Sequence, residues 1–196
     1  MAHDATLIGL MRGTLTAPRE TASRLLGLRL PGRTLFEAAA LLAAVGGLVA
    51  GLSGGVVLPD PQGGPEIALG PVAWAVVLGA TMILSASALQ VAGGLLGGKG
   101  DFAGALLVTV WLNVMALAVE AAVILLSLVS AALASVLFLA GLLLLLWSFV
   151  NFVRVLHGFE GFGRSIATVL IAGFGTFIGL SFILAIAISL GGTPNV

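Results

Sequence analysis

Gly93-Gly-Leu-Leu-Gly-Gly-Lys-Gly100, GGLLGGKG, stands one letter from the phosphate-cradling pattern G-x-x-x-x-G-K-[ST]. Gly100 occupies the position where a Ser or Thr hydroxyl would hold magnesium. A phosphate loop also needs a strand before it and a helix after it. Here Val91–Leu96 ends a long apolar block, and no aspartate on a second hydrophobic strand is available for the metal. The run is better read as a tight turn between two antiparallel helices. Gly97, Gly98 and Gly100 give the backbone its freedom at the helix ends. Lys99 lies at the level of lipid headgroups, and Asp101 is placed to cap the next helix.

The rest of the chain supports a bilayer as solvent. Of its 196 residues 60% are apolar and 8% are charged, against roughly a quarter charged in a soluble domain. Mean hydropathy is +1.23. Five apolar blocks reach the ~20 residues needed to cross about 30 Å of hydrocarbon: Leu35–Leu58, Pro71–Leu96, Phe102–Ser127, Ala131–Val153 and Ile166–Leu190. The third and fourth blocks together run about 75 Å as helix, too long for one crossing, so the chain turns back near Ser127 and Ser130. Since backbone groups in hydrocarbon must bond internally, each block is read as a helix. The expected fold is an all-α integral membrane bundle of five transmembrane helices. Residues 1–34 precede it and residues 191–196 form a short external tail.

Charge sets the expected orientation. Arg12, Arg19, Arg24, Arg29 and Arg33 precede the first span, and counting crossings puts Lys99, Arg154 and Arg164 on the same side. The opposite side receives the loop Pro59–Ala68, with Asp60 and Glu66, and the tail Gly191–Val196. By the positive-inside rule the N-terminus is cytoplasmic and the C-terminus outside. The charged stretch up to Arg33 is too long for a signal-peptide n-region, so the first apolar block is read as an uncleaved span. Ahead of it, Leu7, Leu10, Met11 and Leu15, then after Pro18 Ala22, Leu25, Leu26 and Leu30, form two apolar stripes flanked by arginine. They predict two short amphipathic helices on an anionic membrane surface.

Catalytic chemistry finds little support. The chain has no cysteine, which excludes thiolate metal sites and thiol nucleophiles, and His3 and His157 are far apart. Eight basic residues balance eight acidic ones, which argues against nucleic acid as a partner. Gly51-Leu52-Ser53-Gly54 matches the G-x-S-G of intramembrane serine proteases, but that chemistry needs a histidine beside the serine. His157 falls at the opposite bilayer face, about 20 Å or more away by helix rise. The plainer reading is packing: Gly47, Gly51 and Gly55 recur every four residues, and Gly175 and Gly179 offer a second small-residue surface. No motif calls for a cofactor or metal.

Polar residues in spans are costly and single themselves out. Asn113, Glu120 and Ser127 share one face of the third span. Asn113 and Glu120 are candidates for a polar path; a packing contact at Asn113 and a wetted Glu120 near the outer interface is the plainer alternative. Gln90 and Asn151 lie near the inner edge, placed to bond between helices. In the last inner loop, Arg154 to Arg164, the residues His157, Glu160 and Arg164 are close enough to form a small polar site beside Phe159 and Phe162, and Lys99 and Arg154 are further candidates for cytoplasmic-loop contacts. A headgroup-level connector is the alternative.

Two stretches carry a resemblance. Gly97-Gly-Lys-Gly-Asp-Phe102, followed by Trp111-Leu-Asn113, and the late Leu156-His-Gly-Phe159 resemble the Ypt-interacting-protein (Yip) domain family, especially its short proteobacterial members, from about Pro18 to Leu190. The resemblance implies five spans and a cytoplasmic N-terminus and names no activity; the residues themselves lead to the expectation of a non-enzymatic protein that organises lipid or serves as a scaffold. Eukaryotic members bind prenylated Rab-type GTPases and shape membranes. This chain has no tyrosine, and so lacks their tyrosine-containing motif, and has no proline between Pro71 and Pro194. GTPase binding is therefore not carried over. The expected partners are membrane lipids and another membrane protein or a second copy of the chain, in a bacterial-type inner membrane. The alternative is a small transporter or channel subunit with its path along Asn113 and Glu120.

Overall fold

The computed structural model describes residues 6–58 and 67–190. His3, the expected outer loop with Asp60 and Glu66, and the tail Gly191–Val196 lie outside the described residues. Two short helices come first, α1 (Leu7–Thr16) and α2 (Pro18–Gly27). Five long helices follow: α3 (Gly32–Leu52), α4 (Pro71–Leu95), α5 (Phe102–Ser127), α6 (Ala131–His157) and α7 (Phe162–Leu190). All five are long and apolar enough to cross a membrane. Consecutive long helices pack side by side, and α7 closes onto α4 as well as α6.

The helix ends follow local chemistry. Asp101 caps α5 by accepting from the Gly104 N–H at 2.8 Å. Ser130 caps α6 through the Leu133 N–H at 3.4 Å, which places the reversal between the third and fourth spans at Leu128–Ser130. Pro18 and Pro71 stand at the first position of α2 and α4, where a missing N–H costs nothing. Arg33 pairs with Glu37 one turn on, at 2.8 Å, within the exposed first turns of α3, so this span starts at Gly32 rather than Leu35.

The end of the first apolar block departs from expectation. Leu35–Leu58 was expected to be one span, but α3 stops at Leu52. Gly54 and Gly55 then adopt φ of 95° and 87°, which a right-handed helix does not admit. Val56–Leu58 instead forms strand β1, antiparallel to β2 (Ile67–Leu69), with Val56 opposite Leu69. Apolar composition alone cannot separate the end of a helix from a short strand. The ribbon leaves the architecture helical: it is a cap between α3 and α4.

The core lies toward one end of the bundle. Leu35, Ala39, Leu89, Ala92, Leu106, Val108, Phe152 and Val153 are buried there, together with Ala22 and Leu25 of α2. The outward faces of α6 and α7 carry exposed Leu142, Leu143, Trp147, Phe174, Phe177 and Phe182. Apolar side chains left uncovered on long helices belong against lipid tails.

Candidate functional site at the basic end of the bundle

The buried imidazole of His157 organises this end. His157 closes α6, and Gly158 after it takes the left-handed conformation, φ 68°, that stops the helix. The ring is 2% exposed and enters a cradle made by the opening glycine run. A Cβ at Gly98 would come within 2.6 Å of His157 Cβ, and one at Gly100 within 2.7 Å of the ring. One at Gly93 would come closer still to three ring atoms. The Gly100 N–H donates to Nδ1 at 3.2 Å, and the Lys99 N–H donates to the His157 carbonyl at 3.2 Å. Since Nδ1 accepts, a neutral ring carries its proton on Nε2. Nε2 is buried against α4, where the Leu89 backbone is its polar neighbour at less than ideal hydrogen-bond geometry. Phe159 stacks on the ring at 5.3 Å.

These contacts revise the role of the glycines. Only Gly97, with φ 81°, is required by turn geometry, because it ends α4 in the left-handed region. Gly93 lies inside α4 and serves to leave room for an aromatic ring. In sequence the glycines of one turn and the histidine of the other fall at the same end of the bundle by crossing count, but nothing marks them as a contact.

Arg154 secures the neighbouring loop. Its Nε donates to the Phe159 carbonyl at 3.1 Å and Nη2 donates to the Glu160 carbonyl. Its guanidinium carbon stands 4.6 Å from the centre of the Phe162 ring, which in turn stacks on Trp147 at 5.4 Å. Glu160 and Arg164 are exposed, and no ion pair joins either of them to Arg154 or His157 among the described residues. The structure therefore brings Lys99 and His157 together through backbone and ring, holds the loop with Arg154, and leaves Glu160 and Arg164 apart.

The N-terminal helices dock at the same end. Thr14 of α1 is buried; its Oγ1 accepts from Trp111 Nε1 at 2.9 Å and its carbonyl accepts from Ser148 Oγ at 2.8 Å. Trp111 lies about 14 Å along α5 from its start, so α1 reaches well into the depth of the bundle. Thr21, Ala22 and Leu25 of α2 are buried too, and α2 packs on α6 and α5. The stripes expected to lie on lipid thus face protein, with Leu10, Met11 and Leu15 packed on the core and Leu7 exposed. Threonine in the stripe is the reason: it finds buried partners in Trp111 and Ser148 that lipid could not supply. Arg12, Arg19, Arg24, Arg29 and Arg33 remain exposed. With Lys99, Arg154 and Arg164 at the adjoining helix ends, all eight basic residues gather at this end of the molecule.

The other candidates fall along the helix interfaces. A Cβ at Gly47 would meet the Pro71 carbonyl and, at 2.8 Å, Ala75 Cβ; one at Gly51 would meet Pro71 Cγ at 2.6 Å. Both glycines thus lie where α3 approaches α4 most closely, while Gly55 belongs to the turn into β1. Gly175 and Gly179 sit at ordinary contact distance from Ala88 and Leu84 of α4, 3.8 and 3.4 Å. Gly141 was missed, although a Cβ there would lie 2.6 Å from Val119 across the α5–α6 contact. Asn113 Nδ2 donates to Thr109 O at 2.9 Å, and Asn151 Nδ2 to Trp147 O at 2.8 Å, each within its own helix. Gln90 is exposed. Asn113 and Glu120 both line a cavity of about 220 Å³ with Leu42, Trp74, Leu78 and Met82, between α3, α4 and α5. Ser53 and His157 stand at opposite ends of the bundle, and no three His, Cys, Asp or Glu side chains converge among the described residues.

Five apolar spans with a docked N-terminal helical hairpin define a multipass integral membrane protein. The model of the Yip1 domain matches residues 12–186, and the chain belongs to that family. No curated protein and no solved structure matches it.

Proposed function

We propose that the chain is a non-catalytic scaffold of a bacterial-type inner membrane. Its basic end faces the cytoplasm and holds other membrane components, lipid or a partner membrane protein. The observation that carries this reading is the docked hairpin: its threonine and apolar face is committed to α5 and α6, while Arg12, Arg19 and Arg24 point away from the bundle. A segment built that way presents charge at a fixed place rather than trailing in solvent. The exposed apolar faces of α6 and α7 leave room for a second membrane protein alongside. The family match supports the membrane setting and the absence of an assigned chemical step. Native mass spectrometry of the chain extracted with its surrounding lipid tests the proposal. A co-purifying membrane protein, a self-assembly or selectively retained lipid is expected; recovery of the bare single chain would overturn it.

A second reading, a small transporter or channel subunit, draws on the cavity shared by Asn113 and Glu120. It requires that Glu120→Gln abolish a pH-dependent flux in reconstituted vesicles. An unchanged flux, or none in the parent protein, removes it.

A further inference from the structure

We propose that the groove between α2, α5 and α6 is a binding site for one anionic glycerophospholipid, with Arg29 and Lys99 holding its phosphate. The groove has a volume of about 770 Å³ and is open to the surroundings of the basic end. Arg29 and Lys99 stand on its wall, both exposed, and neither makes a side-chain hydrogen bond or ion pair among the described residues. Leu26, Leu30, Leu107 and Leu156 supply an apolar lining beside them. Phosphate next to acyl chain is the chemistry that combination matches.

Position argues for a lipid as the source of the phosphate. Lys99 lies between the end of α4 and the start of α5, and Arg29 just ahead of α3, so both stand at the level where spans end and headgroups lie. Arg29 holds a left-handed backbone, φ 46°, at the bend from α2 into α3. Among the lining residues Asp101 is the single acid, and its carboxylate is engaged by the Gly104 N–H at 2.8 Å. Two cations without partners face one anion already used as a helix cap, which leaves the groove net attractive to a phosphodiester. The site deepens the proposed function by naming one component held, and rests on it for the membrane setting.

The test is native mass spectrometry of the full chain in mild detergent with equal amounts of phosphatidylglycerol and phosphatidylcholine of matched acyl chains. The parent protein is expected to retain one phosphatidylglycerol per chain in preference to phosphatidylcholine. Arg29→Gln with Lys99→Gln is expected to lower that preference about tenfold or more, as loss of charge-assisted phosphate contacts should. Arg33→Gln with Arg164→Gln removes the same charge outside the groove and is expected to leave the preference intact. Equal retention by the Arg29/Lys99 variant, or equal loss by the Arg33/Arg164 variant, would overturn the site. Displacement of the lipid by millimolar inorganic phosphate would overturn the lipid assignment by showing that the cations bind phosphate without acyl chains. A partner membrane protein carried along with no selected lipid would overturn this site and leave the proposed function standing.

Discussion

The imidazole of His157 fills the space that a methyl group on Gly93 would need. The two residues close α6 and α4 against each other, so substitutions there read the packing of the basic end. Gly93→Ala is expected to destabilise the protein by about 1–3 kcal/mol through overpacking. Gly94→Ala, next in the same helix with nothing within 4 Å of its Cβ, is expected to be neutral or stabilising by up to about 1 kcal/mol. Combining Gly93→Ala with His157→Ala should cost less than the two changes summed, by about 1 kcal/mol, because the clash is gone. Thermal melting in detergent, followed by size-exclusion chromatography, measures these two glycine variants, His157→Ala and the double variant against the parent. Equal melting of the Gly93 and Gly94 variants would count against the cradle.

Docking of the N-terminal hairpin depends on Thr14. Thr14→Val keeps the shape and removes the acceptor, which strands the Trp111 indole N–H in a buried place at a cost of about 1–3 kcal/mol. Opening of the hairpin would then rise about tenfold or more, read as faster tryptic cleavage after Arg12 and Arg19. Thr14→Ser should behave as the parent does. Restored protection when Trp111→Phe is added to Thr14→Val would identify the orphaned N–H as the cause.

Arg154 needs its fork, not merely its charge. A lysine cannot reach the Phe159 and Glu160 carbonyls together while covering the Phe162 ring. Arg154→Lys is therefore expected to resemble Arg154→Gln, with backbone amides at 158–161 exchanging about tenfold faster than in the parent. Parent-like exchange in the lysine variant would show that charge alone suffices.

The proposed orientation makes a separate prediction. A reporter that is active only in the cytoplasm should stay dark when fused after Val196 and signal when fused ahead of α1. Cytoplasmic signal at Val196 would reverse the assignment of the basic end or change the number of crossings.

Long-range order along the chain was legible where one physical rule dominates. Span number followed from hydrocarbon thickness, Asp101 marked the start of α5 as its cap, and Ser130 fell in the expected reversal before α6. The gathering of eight basic residues at one end followed from counting crossings. Contacts between distant residues were hidden. Gly93 carries no mark of the ring it accommodates, and nothing near Thr14 points to Trp111 or Ser148. Amphipathic spacing tells which face of a short helix is covered, not whether lipid or protein covers it. Arg154 was visible as a cation, but its use as a loop clamp depends on carbonyls five and six residues ahead, fixed by the left-handed Gly158.

The partners of Thr14 have a consequence for biogenesis. They lie 97 and 134 residues further along the chain. A ribosome delivers α1 early and Ser148 late, with four of the long helices begun before Thr14 can find both partners. Contacts so distant in sequence form slowly, since loop closure precedes any reward. The earliest described helix to emerge is thus fully seated only after α6 has been made, and its docking records that the third and fourth spans have come together.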